Sequence, residues 1–287
     1  MSDLLGEMTR SSRTRANAAL REASLQEWRE RATATAPAPA LRLDASFDLI
    51  CEVKFASPSE GKLRGGSVSE AVRRANDYAS AGAAAISVLT EPERFGGSLE
   101  YLAQIAHAVD VPAMRKDFLV DAVQVCEARV AGAGGVLLIT RMLDDAELTE
   151  LLQMTHALGM FALVEGFDRE DLERTARILA AQATPATAAG QTLVGVNSRN
   201  LVSLEVEPKR LFDLAADLPG DYPAVAESGL ETEDDAAALA QAGYSVALVG
   251  TALMRAEDSG ALARRLIDAG RARNLNGNPG TERGVAS

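Results

Sequence analysis

The chain has 287 residues, of which 47% are hydrophobic and only 4% aromatic, enough for one large α/β domain with a sizeable core. A formal net charge of −12 argues against nucleic acid and anionic membrane as partners, so an anionic substrate would have to meet locally concentrated positive charge. Cys51 and Cys126 sit inside apolar patterns without metal-ligand spacing and read as buried thiols of a reducing compartment. No apolar run reaches membrane-spanning length and none near the start resembles a signal peptide, so a cytoplasmic location is expected.

Residues 1–45 differ in character from the rest and are expected to form an N-terminal helical extension with its linker. Ser2–Ala32 is helix-prone, with Leu4, Leu5, Met8, Ala16, Leu20 and Leu25 as an apolar stripe among Arg and Glu. The Pro-containing Thr33–Ala40 breaks it. Such a segment is either a helix laid across a barrel end or a partly disordered arm.

From Phe47 onward short apolar runs alternate with amphipathic helical stretches. The candidate strands are Leu49–Lys54, Ala84–Leu89, Pro112–Arg115, Val136–Ile139, Phe161–Glu165, Leu193–Asn197, Ala224–Glu227 and Val246–Gly250. Ser67 with Glu70, Asp144 with Glu147, and Thr232 with Asp235 look like helix N-caps followed three residues on by an acid, and Asp168 is a further cap. Gly82, Gly134, Gly159 and Gly243 fall where helices should end. Eight β–α units within residues 46–272 predict an α/β fold of the (β/α)8 TIM-barrel class, with the helical extension before it. No GxGxxG follows the first strand, which counts against a dinucleotide fold. Residues 183–192 read as a loop, and the Gly-, Asn- and Pro-containing residues 273–287 as a disordered tail.

The stretch 49–66, LICEVKFASPSEGKLRGG, is chemically the most unusual. Glu52 and Lys54 are two residues apart on a strand and share a face, immediately before a Ser-Pro-Ser-Glu-Gly turn. Barrel enzymes place their chemistry at the C-terminal strand ends. Here those ends carry Lys54, Thr90, Lys116, Thr140, Glu165, Asn197 with Arg199, Glu227 with Ser228, and Gly250 with Thr251. Each charge taken singly reads equally well as a structural ion pair. Together, Lys54, Lys116 and Arg199 would give an anion the positive field it needs, and Glu52 and Glu165 would keep the lysines charged. Ser228-Gly229 and Gly250-Thr251 follow strands seven and eight, where barrels often bind phosphate through backbone N–H groups. His107 and His156 fall in helices, so neither a Ser-His-Asp triad nor a zinc set is expected.

Seven motifs in this order make the resemblance specific: EVKFASPSEG (52–61), LTEPERFGGSLEYL (89–102), RKDFLVDAVQVCEAR (115–129), LVE (163–165), GVNSRNL (195–201), AESG (226–229) and VGTALM (249–254). Over Phe47 to Ile267 the chain resembles the indole-3-glycerol-phosphate synthases. The resemblance implies a tryptophan-pathway lyase that needs no cofactor or metal. Its substrate would be 1-(2-carboxyphenylamino)-1-deoxyribulose 5-phosphate, an anthranilate-bearing anionic phosphosugar. It implies that Lys116 protonates the ketone oxygen during ring closure, that Glu165 assists the later proton transfer and dehydration, and that Lys54 binds the anthranilate carboxylate or donates a proton, with the step each lysine serves left open. Glu52 and Asn197 would hold this network, with Arg199 beside the substrate. Ser57, Ser228, Gly229, Gly250 and Thr251 would contact substrate and phosphate, while Pro58, Phe95, Phe118, Leu137, Leu201, Leu204 and Leu230 would wall the aromatic ring. Four departures stand out: Phe55 replaces a usual basic residue, Glu60 a usual lysine, Gly166-Phe167 follows the catalytic glutamate, and the N-terminal helix matches poorly a segment that in the family helps close the site. The runner-up readings are a phosphosugar isomerase of the phosphoribosylanthranilate isomerase kind, a Schiff-base aldolase using Lys54 or Lys116, and a specialised-pathway or non-catalytic paralogue. A monomer is expected, with other tryptophan-pathway enzymes as candidate partners.

Overall fold

A computed structural model describes residues 4–43, 46–54, 56–57, 61–62, 67–182, 192–200 and 203–274, with backbone alone at 56–57, 61–62 and 273–274. The expectations for Phe55, Pro58, Glu60 and Leu201, for loop residues 183–191 and for the tail beyond 274 lie outside the described residues.

Eight parallel strands close into a barrel: β1 Asp48–Val53, β2 Ala85–Leu89, β3 Ala113–Lys116, β4 Gly135–Ile139, β5 Phe161–Gly166, β6 Thr192–Asn197, β7 Ala224–Glu227 and β8 Val246–Val249. Each expected strand is present, within one or two residues at its ends. Thr192, expected in a loop, begins β6. Closure comes from β1, which pairs with β8 on one side (Asp48↔Val246) and β2 on the other (Ile50↔Ala85). All residues of β1 are buried, as are those of β2, β4, β5, β6 and β8, because helices cover the outside and side chains fill the inside. Sequence-neighbouring β–α units supply that cover, which is why the strands read as continuous apolar runs rather than alternating ones.

The expected N-caps are in place. Ser67 accepts from the Glu70 N–H, and Asp144/Glu147 and Thr232/Asp235 form reciprocal capping boxes. Asp168 caps Arg169–Ala181 through the Asp171 N–H. One expected helix end is corrected: after Ala122–Val130 it is Gly132 that takes the left-handed backbone, at φ +88°, and not Gly134. Gly134 is small for another reason, since a Cβ there would come within 2.6 Å of Pro112 Cβ.

The N-terminal segment is two helices, not one: α1 Leu4–Glu22 and α2 Leu25–Ala34. The break is chemical. Ser24 accepts from the Glu27 N–H, and the Glu27 carboxylate takes the Ser24 N–H at 2.8 Å, a capping box that starts a new helix. Trp28 fixes the corner by donating from Nε1 to the Ala19 carbonyl at 3.0 Å. Beneath it Ala16, Ala19, Ala32, Val123 and Cys126 form a small apolar cluster between the extension and the barrel's third helix. Burial pushes the Cys126 thiol up to about 11, and Cys51 is also buried and raised, so both thiols are inert.

Candidate active site

In a parallel barrel every second side chain points inward, and the strand register decides which ones share a layer. Leu89 lies level with Lys116, Ile139 with Glu165, Glu165 with Gly195, and Asn197 with Glu227. The inward residues at the C-terminal ends therefore meet in one cavity of about 740 Å³. Glu52, Lys54, Lys116, Glu165, Asn197 and Arg199 all line it. So do Phe95, Phe118, Leu137, Leu204, Ser228, Gly229, Leu230, Gly250 and Thr251. Of the expected set, Pro58 and Leu201 and the side chain of Ser57 are outside the described residues.

Glu52 organises the positive charge. Lys54 Nζ lies 2.9 Å from its Oε1 and Lys116 Nζ 3.7 Å from its Oε2. Burial opposes ionisation of Glu52, but Lys54, Lys116 and Arg199 outweigh it and hold the carboxyl below its ordinary range. For Lys116 burial works against the ammonium, and Glu52, Glu165 and Glu227 outweigh that in turn, so its pKa rises above that of a free amine. Lys116 is a half-buried donor held in its charged form.

Glu165 is held separately. Its Oε2 accepts from Asn197 Nδ2 at 3.1 Å, and Asn197 Oδ1 accepts from the Arg199 N–H at 2.9 Å. The end of β5 is pinned from outside the barrel as well. The Phe167 N–H donates to Asp171 Oδ2 at 2.9 Å, and the Arg141 guanidinium, itself paired to Asp168 and Asp171, lies 4.5 Å from the Phe167 ring centre. Phe167 thus lies as an apolar ring beneath a cation just after Glu165 and Gly166.

One functional-site carboxylate was not among the expected catalytic residues. Glu227 is 1% exposed, lines the cavity, and finds no hydrogen-bond donor for either oxygen among the described residues. Burial first, and the negative charge of Glu165 second, push its pKa well above the ordinary carboxyl range, and Lys116 only partly offsets them. Burial and the neighbouring Glu165 thus both favour the protonated form of this carboxyl. The signal was available: counting register from Asn197 places Glu227 on the inward face, whereas its neighbours Ser228-Gly229 suggested only a phosphate contact.

Two glycines make room for these acids. A Cβ at Gly250 would stand 2.4 Å from Glu52 Oε1, and one at Gly195 would stand 2.3 Å from Glu227 Oε1. Gly250 is therefore fixed by Glu52 as well as by any anion it meets. The Phe95 and Phe118 rings, with centroids 5.9 Å apart and tilted by 43°, pack together and with Leu137 give the cavity an apolar wall. At the other end Ser228 (φ 68°) and Gly229 (φ 83°) are both left-handed, an uncommon backbone for serine. Gly250 there caps the short helix Thr251–Arg255 without any side-chain hydrogen bond. The two histidines are not part of the cavity lining. His107 ends a helix, and His156 pairs through Nε2 with Thr192 Oγ1 at 3.0 Å.

The sequence profile described as indole-3-glycerol phosphate synthase matches residues 9–266. The chain belongs to the indole-3-glycerol phosphate synthase family. It is 49% identical over 211 residues to the indole-3-glycerol phosphate synthase of Micrococcus luteus, covering 74% of each chain. It is 40% identical over 262 residues to indole-3-glycerol phosphate synthase 1 of Streptomyces coelicolor, covering 89% of this chain and 92% of the relative. Among solved structures, 3-hexulose-6-phosphate synthase from Salmonella typhimurium superposes with a TM-score of 0.61 over 79% of this chain and all of that one. At 14% identity that likeness shows the barrel fold alone. The family match makes this chain a carboxy-lyase of tryptophan biosynthesis, and it does not favour the isomerase reading.

Proposed function

We propose that this cavity carries out the three stages of the family reaction with a fixed division of labour. The carboxyphenylamino ring lies against the apolar wall of Phe95, Phe118 and Leu137, and its carboxylate faces Lys54. Lys116 gives its proton to the ketone oxygen as the ring carbon attacks, and carbon dioxide leaves as the ring electrons return. In the dehydration that makes the indole aromatic, Glu165, oriented by Asn197, takes the proton the ring loses, and the hydroxyl leaves as water with a proton from Lys54. Positioned proton transfer of this kind contributes about 10²–10⁴-fold. The phosphate lies at the Ser228–Gly229 and Gly250–Thr251 end, with Arg199 on the flank. No cofactor or metal enters this scheme.

The observation that carries the reading is the place of Lys116 in the cavity, its Nζ 3.7 Å from Glu52 Oε2. Against the effect of burial, Glu52 and then Glu165 raise its pKa, which favours the ammonium and works against the neutral amine a Schiff-base aldolase needs. Lys54, Lys116, Arg199 and Arg255 all line the cavity, which gathers cations for an anion in a protein of charge −12. No described helix is long and apolar enough to cross a membrane. We extend the proposal to a monomeric enzyme of the cytoplasm that meets other tryptophan-pathway enzymes, with residues 1–45 as an extension of a barrel formed by 46–272. The test is direct: purified protein mixed with the carboxyphenylamino substrate should generate indole fluorescence without added metal. A folded preparation that generates none overturns the assignment.

A further inference from the structure

Phe95 belongs to the apolar wall of the cavity, yet no strand carries it. Pairing between β2 and β3 ends with Leu89↔Lys116 and with the Thr90 N–H, which donates to the Lys116 carbonyl at 3.1 Å. Glu91 follows at once, and Phe95 is the last residue of the short helix Pro92–Phe95. A single turn is far below the length at which a helix sustains itself, roughly 12–15 residues. The first N–H groups of any helix also lack partners within it. Whatever satisfies those donors holds the turn, and with it the Phe95 ring.

One side chain does so. Pro92 has no N–H, and the next three donors all converge on the Glu91 carboxylate. Its Oε1 accepts from the Glu93 N–H at 3.0 Å, and its Oε2 from the Arg94 and Phe95 N–H groups at 2.7 and 3.1 Å. An ordinary N-cap side chain satisfies one such donor. Glu91 closes the far end as well, because its carbonyl accepts from the Gly97 N–H at 2.8 Å. The return is tight: Gly96 takes the left-handed backbone at φ +62°, and a Cβ on Gly97 would stand 2.2 Å from the Leu89 carbonyl oxygen. The loop 91–97 thus folds back on the end of β2 and sets Phe95 against Phe118. Glu91 is 0% exposed, whereas Pro92, Glu93 and Arg94 are exposed. Burying a carboxylate is costly unless its hydrogen bonds are made, and here three backbone donors make them.

We propose that Glu91 is a positioning residue: its buried carboxylate fixes where the Phe95 ring stands, and so how firmly the cavity grips the aromatic ring of the substrate. Glu91 is not among the residues lining the cavity, so it acts through Phe95. The inference rests on the reading that the carboxyphenylamino ring lies against the wall of Phe95, Phe118 and Leu137. Both carboxylate oxygens are acceptors, so an amide in their place would turn its own N–H group toward at least one backbone N–H. The turn then opens and the ring loses its fixed place. No reacting proton is touched, so the loss falls on binding shared by substrate and transition state.

The test is a double-mutant cycle in steady-state kinetics with the carboxyphenylamino substrate. Glu91→Gln should raise KM by about 10-fold with kcat within about threefold of wild type, and Phe95→Ala should do the same. In the Phe95→Ala background, Glu91→Gln should change kcat/KM by less than about twofold, because the ring it positions is already gone. Glu91→Asp keeps one ordinary cap and should raise KM by only about threefold. If Glu91→Gln does not fold, Glu91→Asp takes its place in the cycle. Glu93→Gln, an exposed acid of the same turn, should leave KM unchanged. An unchanged KM in every folded Glu91 variant overturns the proposal. So do Glu91 and Phe95 effects that simply multiply, or a KM rise as large in Glu93→Gln. If Phe95→Ala loses kcat/KM and the Glu91 variants do not, only this inference falls. If Phe95→Ala itself keeps wild-type kcat/KM, the placement of the ring falls with it.

Discussion

Lys116 Nζ stands 3.7 Å from Glu52 Oε2, close enough for charge to act and too far for a tight hydrogen bond. The short contact, 2.9 Å, belongs to Lys54 on the other oxygen. Glu52 thus keeps Lys116 protonated without holding its proton in a short bond, which is what a donor to an incoming ketone requires. Glu52→Gln removes the charge and keeps the shape. Because Glu52 is the largest of the carboxyl influences raising the Lys116 pKa, its loss should move the alkaline limb of the kcat profile to lower pH and lower kcat by about tenfold or more. An unchanged alkaline limb would mean that the limb belongs to another group.

Gly250 sets a steric condition on the same carboxylate. Gly250→Ala puts a methyl 2.4 Å from Glu52 Oε1, so Glu52 must turn away from Lys54. Turnover should fall by about tenfold or more while the melting temperature drops modestly, since the change lies at the cavity surface. Equal turnover in Gly250→Ala would show that the Glu52–Lys54 contact is dispensable.

Glu227 gives a pH-dependent signature. Its folded pKa is raised, so the native state binds an extra proton between the unfolded value, about 4.3, and that raised value. The stability it contributes is present below about 4.3 and is lost as pH rises through the folded pKa. Glu227→Gln mimics the protonated form and abolishes that loss. The melting temperature of the variant relative to wild type should therefore climb as pH is raised above about 4.3. A constant difference across pH would show Glu227 to be ionised at rest.

Asp117 has the opposite sign. Burial opposes its charge, but Arg115, Arg15 and Thr90 outweigh it and take its pKa down to about 2. Its stabilisation is complete above about 4 and is lost as pH falls through about 2, an effect of about 2 kcal/mol. Asp117→Asn should cost stability at neutral pH, and the gap to wild type should close as pH falls from about 4 to about 2. A gap that persists at pH 2 would assign the cost to lost geometry rather than lost charge.

Much of this was legible in the chain itself, and the limits have physical causes. The eight strands could be read because each is a short apolar run buried on both faces, and their helices because Ser67, Asp144, Asp168 and Thr232 are local capping signals. The corner at Ser24 was equally local, a Ser and a Glu three apart, but it was masked by an apolar stripe that runs through it. Lys116 and Glu52 could be placed in one mouth because a barrel fixes where strand ends go. The roles of Gly195 and Gly250 could not be read, since the clash each avoids is with a carboxylate on another strand. Arg15 was hidden for the same reason. Among the many arginines of α1 and α2, nothing near it in sequence tells that it meets Asp117, 102 positions away.

The central claim is that Lys116 supplies the proton for ring closure and Glu165 serves the dehydration, both in an intact fold. The most direct measurement is single-site replacement, Lys116→Met and Glu165→Gln, followed by indole fluorescence at saturating substrate and by thermal melting of the same preparations. The account predicts kcat lower by about 10²–10⁴-fold for Lys116→Met and by at least about 10²-fold for Glu165→Gln, with melting temperatures close to wild type. A Lys116→Met enzyme within about threefold of wild-type kcat, or a Glu165→Gln enzyme that turns over normally but melts far lower, would contradict it.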